Sequence, residues 1–135
     1  MPRNYIADSS ALVALVSRAD QHHAWMVGQL PMLPRTWITC EAALAEAFYL
    51  AGKDGVPVLK EMLRRRAITL NFDLGDELEA VLDLMDKYAD VPMSLADACL
   101  VRMSETLADP VVLTTDSDFR IYRRHSRQVI PCLTP

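Results

Sequence analysis

Cysteine is scarce in this sequence, whose three cysteines, Cys40, Cys99 and Cys132, are far apart and include no Cys-x-x-Cys pair. An odd number at such wide spacing argues against a disulfide framework and against a zinc site, and it favours a reducing cytoplasm. Long apolar runs are also missing, because no stretch approaches the roughly 18 apolar residues of a membrane span. An acid, Asp8, stands where a signal peptide would need its apolar run. We therefore expect a cytoplasmic protein with no membrane segment.

Repeats, low-complexity tracts and linkers are absent too, and 135 residues that are 51% hydrophobic are typical of a single globular domain. We therefore predict one domain over residues 1–135.

The formal net charge is −4, which argues against a nucleic-acid partner only if the acids are spread over the surface. Removing five acids changes that net charge from −4 to +1. They are Asp8, Glu46, Asp97, Asp116 and Asp118.

Strand and helix patterns alternate along the chain. Strands are predicted at 4–7, 35–38, 67–71, 111–115 and 128–132. A first helix is predicted to begin at the segment ALVALV, after a cap at 8–10, and further helices at about 20–30, 40–50, 55–66, 76–88, 94–107 and 116–123, with Thr39 capping the third helix. The fourth strand is apolar without alternation, as in a strand covered on both faces. This alternation predicts parallel pairing and a three-layer α/β/α sandwich with right-handed crossovers. Functional residues of such sheets gather beyond the carboxyl ends of the strands.

Two acids in the first half of the chain differ in how well structure alone explains them. Asp8 follows the first strand, where it could cap the next helix. Glu46 lies inside the segment AALAEAFYL, so its charge must face the interior or a cleft and find a partner there. Glu41 is explained by its place in the first helical turn, where the helix dipole favours a carboxylate. Glu46 is therefore the acid with the strongest claim to a functional role.

Three acids in the second half have structural explanations of their own. Asp97 stands three residues after Ser94, a variant of the capping box, so that cap and site explain it equally well. Asp116 ends the fourth strand, and Asp118 could form a second capping box with Thr115. Two acids at the end of one strand are harder to explain by capping alone.

The five acids carry more weight as a set, because strand ends converge where parallel strands are neighbours. Carboxylates that crowd together raise one another's pKa values unless a cation is present. Their ligands would all be hard oxygens, with neither His nor Cys, which favours Mg²⁺ or Mn²⁺. We therefore predict a magnesium or manganese site.

The surroundings of these acids resemble those of a known family, the PIN-domain ribonucleases, and within it the VapC-like toxins of bacterial toxin-antitoxin pairs. The resemblance covers nearly the whole chain and depends on four motifs in order. They are Ile6-Ala7-Asp8-Ser9-Ser10, Leu44-Ala45-Glu46, Leu95-Ala96-Asp97-Ala98 and the segment from Thr114 to Phe119. Family members differ in whether the position of Asp116 or that of Asp118 holds the last acid.

The resemblance implies a five-stranded parallel sheet in the order 3-2-1-4-5, with Asp8 and Asp116 on adjacent strands. It also implies a Mg²⁺- or Mn²⁺-dependent endoribonuclease that hydrolyses RNA phosphodiester bonds, a homodimer, and inhibition by a small antitoxin protein from the same operon. In that activity the ligands of the metal would be Asp8, Glu46 and Asp97, completed by Asp116 or Asp118. Ser9 or Thr114 would hydrogen-bond a metal-held water or the scissile phosphate.

Arginine accounts for eleven of the fourteen cations and clusters at 64–66 and 120–127. Because arginine suits bidentate contact with phosphate, these clusters are candidates for holding the RNA backbone. Solvated helix ends would explain each cluster as well. The candidate side chains are Arg64, Arg65, Arg120, Arg123 and Arg124.

Two other functions remain open at this point. A receiver-like signalling domain also gathers acids around Mg²⁺, and Asp73 could be its phosphorylated residue. Such a domain needs a lysine beyond its last strand, whereas the only lysines are Lys53, Lys60 and Lys87. The second is a catalytically silent PIN-like domain that acts only as a binding module, although its complete set of acids would then have no evident use.

Overall fold

A parallel sheet of five short strands forms the middle layer of the molecule, in the order β3-β2-β1-β4-β7. The computed structural model describes residues 3–135. Its strands are β1 (Asn4–Ala7), β2 (Trp37–Thr39), β3 (Ile68–Leu70), β4 (Pro110–Leu113), β5 (Arg123–Arg124), β6 (Gln128–Val129) and β7 (Cys132–Leu133). Its α-helices are α1 (Ser9–Val16), α2 (His23–Gln29), α3 (Glu41–Leu50), α4 (Gly52–Arg64), α5 (Leu78–Lys87) and α6 (Leu95–Thr106), and single 3-10 turns span Leu30–Met32 and Ser117–Arg120.

The central strands β1 and β4 lie side by side in parallel register. Ile6 is opposite Val112, and Ala7 is opposite Leu113. All four side chains are buried, because helices cover both faces of the sheet, and this explains the unbroken apolar run of β4. The register brings the ends of β1 and β4 to the same level, so the residues that follow them are neighbours.

Two apolar cores occupy the two faces of the sheet, because successive strand residues point to opposite sides. Ile6 and Val112 pack with α5 and α6 in one core, whereas Ala7 and Leu113 pack with α1, α2 and α4 in the other. The helix α3 contributes to both. The predicted three-layer α/β/α sandwich with a five-stranded parallel sheet is therefore confirmed, as is the strand order.

The last strand is placed wrongly by the sequence pattern. A single strand at 128–132 was expected, but Gln128–Val129 pairs antiparallel with β5 in a hairpin, and only Cys132–Leu133 joins the sheet. Pro131 separates the two segments, because it has no N–H to donate and its carbonyl instead accepts from the Val112 N–H at 2.8 Å. The predicted helix at 116–123 is correspondingly reduced to one 3-10 turn, since β5 begins at Arg123.

Thr39 is a strand residue and does not cap the following helix as predicted. Its hydroxyl donates to the Ala7 carbonyl at 2.7 Å and so joins β2 to β1. The N-cap residue of α3 is Cys40. The helices α2 and α5 begin later than predicted, at His23 and Leu78. Within residues 3–135, no helix combines the length and apolarity needed to cross a membrane.

Candidate metal centre

Three carboxylates come together beyond the ends of β1 and β4. One oxygen each of Asp97, Asp116 and Asp118 lies within 4.8 Å of the others. Asp97 is in the first turn of α6, and the other two follow β4 through the 3-10 turn. Asp8, which follows β1, and Glu46, in the middle of α3, face this cluster closely enough for their charges to raise the pKa of Asp97. The structure therefore gathers all five of the predicted acids at one edge of the sheet.

Asp8 is buried, with 2% of its surface exposed. It occupies the N-cap position of α1, but its carboxylate makes no capping hydrogen bond. Its Oδ2 instead accepts from the hydroxyls of Ser10 and Thr114, each at 2.7 Å. Burial raises the pKa of this carboxyl, which the two hydroxyls partly oppose and the charge of Asp116 reinforces. Helix capping therefore does not account for the Asp8 side chain.

Ser9 links Glu46 to Asp8. Its hydroxyl donates to Glu46 Oε1 at 3.0 Å and lies 3.4 Å from Asp8 Oδ1. Glu46 is half-buried, as expected for a charge that projects from an otherwise apolar stretch of helix into a cleft. The Ser9 hydroxyl thus holds two carboxylates from different elements on the same side of the sheet.

Thr114 is the buried centre of a second set of hydrogen bonds. Besides donating to Asp8, its Oγ1 accepts from the Asp116 N–H at 2.9 Å and lies 3.2 Å from the Ser10 Oγ. The Asp116 carboxylate accepts from the Asp118 N–H at 2.9 Å. That bond replaces the predicted capping box between Thr115 and Asp118. The end of β4 is therefore fixed to the beginning of α1 through side chains.

Asp97 meets both of the roles that its sequence context allows. Its N–H donates to Ser94 Oγ at 3.0 Å, which is the predicted cap. Its carboxylate is separate from that cap, since Oδ2 accepts from the Tyr122 hydroxyl at 2.8 Å. Burial raises the pKa of Asp97 to about 6, opposed by the Tyr122 hydroxyl and reinforced by the neighbouring carboxylates. Capping explains the Asp97 backbone, whereas its side chain belongs to the acidic cluster.

The donor set fits a hard divalent cation. The three clustered side chains are all aspartates, and carboxylate oxygens are the ligands that Mg²⁺ and Mn²⁺ prefer. Hydroxyls hold Oδ2 of Asp8 and Oδ2 of Asp97 at 2.7–2.8 Å, whereas Oδ1 of Asp8 has only a longer contact, 3.4 Å from the Ser9 hydroxyl, and within residues 3–135 Oδ1 of Asp97 accepts no hydrogen bond. Burial, and after it the neighbouring carboxylates, raises the pKa values of Asp8 and Asp97, and a bound divalent cation would oppose both effects.

The five candidate arginines have different surroundings. Arg65 pairs with Glu61 at 2.8 Å, and Arg124 donates to the Ser104 carbonyl at 2.6 Å. Arg123 folds back onto backbone carbonyls of its own segment, the nearest being that of Arg120 at 2.7 Å. Within residues 3–135, the guanidinium groups of Arg64 and Arg120 make no hydrogen bond, and both residues are exposed. Of these two, Arg120 lies in the turn that carries Asp118, whereas Arg64 ends α4, before the amino end of β3.

Sequence reasoning missed the role of Tyr122. This residue contacts an acid of the cluster, but it lies 25 positions from Asp97 in the chain. A tyrosine in a short segment between an acidic turn and a basic hairpin has no periodicity or motif that would reveal its partner. The contact is a product of the tertiary fold.

Comparison with known proteins agrees with this geometry. Residues 5–124 match the family model of the PIN domain. The fold is similar to the crystal structure of VapC20 from Mycobacterium tuberculosis, described as a toxin that cleaves the sarcin-ricin loop, with a TM-score of 0.78 over 95% of this chain and 100% of that one. The two sequences are 17% identical, so this similarity bears on the fold alone. No curated protein shows significant sequence similarity to the chain.

Proposed function

Since this chain belongs to the PIN-domain family, we propose that it is a metal-dependent endoribonuclease that hydrolyses RNA phosphodiester bonds. The observation that carries the proposal is the cluster of Asp97, Asp116 and Asp118 within 4.8 Å, beside the buried Asp8. A binding module has no need for so many uncompensated carboxylates, because their mutual repulsion destabilises the fold. A receiver-like domain is the wrong alternative, because the matching family is the PIN domain.

The proposed ligands of the cation, Mg²⁺ or Mn²⁺, are Asp8, Glu46, Asp97 and Asp116, with Asp118 as a fifth carboxylate. When bound, such a cation neutralises charge on a phosphodiester and lowers the pKa of a water molecule that can attack phosphorus. The neighbouring hydroxyl side chains hold these carboxylates in place. Ser9 orients Glu46 toward Asp8, and Thr114 fixes Asp8 relative to Asp116.

The family and the fold also support a set of partners. We propose that the protein is the toxin of a toxin-antitoxin pair, that a small antitoxin from the same operon inhibits it, and that it acts in the cytoplasm as a homodimer. In this proposal residues 1–135 form one PIN-like domain. VapC20 cleaves the sarcin-ricin loop, so an RNA that contains this loop is a suitable candidate substrate to test first.

Cleavage of RNA by the purified protein is expected to require a divalent cation. The assay uses tRNA, an rRNA fragment with the sarcin-ricin loop, and mRNA, each with Mg²⁺, Mn²⁺ or EDTA, and Asp97→Asn protein prepared identically excludes contaminating nuclease. Cleavage that stops in EDTA and returns with added Mn²⁺ would support the proposal. No cleavage of any of these RNAs, by protein that binds Mn²⁺ and carries no co-purified inhibitor, would favour the silent binding module.

Replacing Arg120 by Ala is expected to weaken RNA binding without changing the fold. Arg120 is exposed in the turn that carries Asp118, so it is placed to contact a phosphate next to the acidic cluster. Loss of one phosphate contact should lower the slope of log affinity against log salt by about 1. Binding is measured in EDTA, which prevents cleavage, over a series of salt concentrations.

Arg18→Ala is the matched control for Arg120→Ala. Arg18 is also exposed, but it follows the opposite end of α1 from Asp8. The same loss of charge there should leave the salt slope unchanged. Equal slopes for the Arg120 variant and the wild type would remove Arg120 from the RNA-binding surface.

A further inference from the structure

The acids of the cluster are held by different numbers of partners. The Asp8 carboxylate accepts from two hydroxyls at 2.7 Å, and a third hydroxyl, that of Ser9, lies 3.4 Å away. The Asp97 carboxylate has fewer contacts than that of Asp8. Within residues 3–135 it has one hydrogen-bond partner, the Tyr122 hydroxyl at 2.8 Å. Its orientation therefore depends on a single side chain.

Tyr122 is itself held rigidly. Its side chain is fully buried, and its ring packs edge-on against Tyr88 and Phe119, with centroids 5.1 and 5.2 Å away. Its N–H donates to the Asp118 carbonyl at 3.2 Å, so the phenol is anchored to the same segment that carries Asp116 and Asp118. The hydroxyl that reaches Asp97 thus has little freedom to move.

We propose that Tyr122 is a positioning residue of the cation site, which holds the Asp97 carboxylate beside those of Asp116 and Asp118. This inference rests on the proposed function, because it assigns the residue a role toward the same cation. Like charges at this distance repel one another, so the Asp97 side chain would rotate away from those of Asp116 and Asp118 unless another group held it. Tyr122 opposes that rotation and keeps the site assembled before a cation enters.

The main test compares Tyr122→Phe with Tyr88→Phe by measuring Mn²⁺ affinity with electron paramagnetic resonance. Each variant loses one hydroxyl from the same aromatic cluster and keeps its ring, but the Tyr88 hydroxyl accepts from the Arg123 N–H and, among residues 3–135, forms no hydrogen bond with a carboxylate. Loss of the hydrogen-bonded partner of a metal ligand typically weakens metal binding by about 10- to 100-fold. We expect a loss in this range for Tyr122→Phe and wild-type affinity for Tyr88→Phe, with both variants folded by circular dichroism.

Two further measurements distinguish positioning from a general structural role. Saturating Mn²⁺ should restore most of the cleavage rate of Tyr122→Phe, because the defect is in assembling the site. In an Asp97→Ala background, which removes the acceptor of the Tyr122 hydroxyl, the additional Tyr122→Phe substitution should change Mn²⁺ affinity by less than about twofold, since the pair acts through one contact.

The outcomes separate this inference from the proposed function. Equal Mn²⁺ affinity for wild type and Tyr122→Phe would overturn the positioning role while leaving the cation site in place. An equally large loss in Tyr88→Phe, or an undiminished effect in the Asp97→Ala background, would also overturn it. Wild-type protein that binds no Mn²⁺ would overturn the proposed function, and the role of Tyr122 with it.

Discussion

Asp97→Asn is expected to reduce RNA cleavage by about a thousandfold. A cation that stabilises the transition state contributes several kcal/mol, and each 1.4 kcal/mol corresponds to about a tenfold change in rate. Asn keeps the shape of the side chain, so Tyr122 can still donate to it and the cap from Ser94 is unaffected. The loss would therefore reflect the missing charge and would leave the fold intact.

The same substitution is expected to stabilise the metal-free protein at neutral pH, by about 1–3 kcal/mol. The pKa of Asp97 is about 6 in the folded protein, above its ordinary value of 3.8, because the carboxyl is buried among other carboxylates. Between these two values the folded state binds more protons than the unfolded state, so the stability of the wild type falls as pH rises. Asn carries no charge at any of these pH values, so the variant does not lose stability in this way as pH rises.

Urea unfolding in EDTA measures this effect at neutral pH and at about pH 5, where Asp97 is largely protonated when folded. The stability difference between variant and wild type should shrink at the lower pH. Asp83→Asn, which removes an exposed carboxylate from α5, is the control and should change neither cleavage nor stability appreciably. Full cleavage by the Asp97→Asn protein would exclude this residue from the site.

Thr114→Val is expected to destabilise the protein by about 2–3 kcal/mol and to reduce cleavage by about tenfold or more. Valine has nearly the shape of threonine but cannot replace the bond to Asp8 at 2.7 Å or accept from the Asp116 N–H. A buried carboxylate would lose one of its donors, and a backbone N–H would lose its acceptor. Urea unfolding and a cleavage assay at saturating Mn²⁺ measure the two effects.

Thr115→Val is the matched control, since it makes the same chemical change one residue further along the chain. Thr115 is half-buried, and its hydroxyl forms no hydrogen bond within residues 3–135. Its replacement should change stability by less than about 0.5 kcal/mol. Equal destabilisation by the two substitutions would show that the polar contacts of Thr114 contribute nothing specific.

The sequence predicts the parts of this molecule that depend on local pattern. Apolar segments with turn residues between them indicate the sheet, and β4 is apolar throughout because helices cover both of its faces. The site follows from the same logic, because Asp8 and Asp116 come after strands whose ends a parallel sheet brings together. Glu46 stands out because a charge among apolar residues must find a partner, which proves to be Ser9.

Features that depend on distant contacts could not be predicted in this way. The hydroxyl of Tyr122 reaches Asp97 only because three aromatic rings pack together in the folded protein. The sequence does not distinguish the arginines of a cluster from one another. In the structure, however, Arg124 donates to the Ser104 carbonyl of α6, whereas Arg120 is exposed. The final strand was misplaced because Pro131 divides one β-rich segment between two different sheets.

The sheet ends on both sides in very short strands. On one side β3 has three residues, and on the other β7 has two, so each outer edge offers few unpaired backbone groups. An exposed edge of greater length can pair with the edge of another molecule and begin an intermolecular sheet. The short edges of this sheet therefore disfavour pairing between two copies of the protein through their backbones.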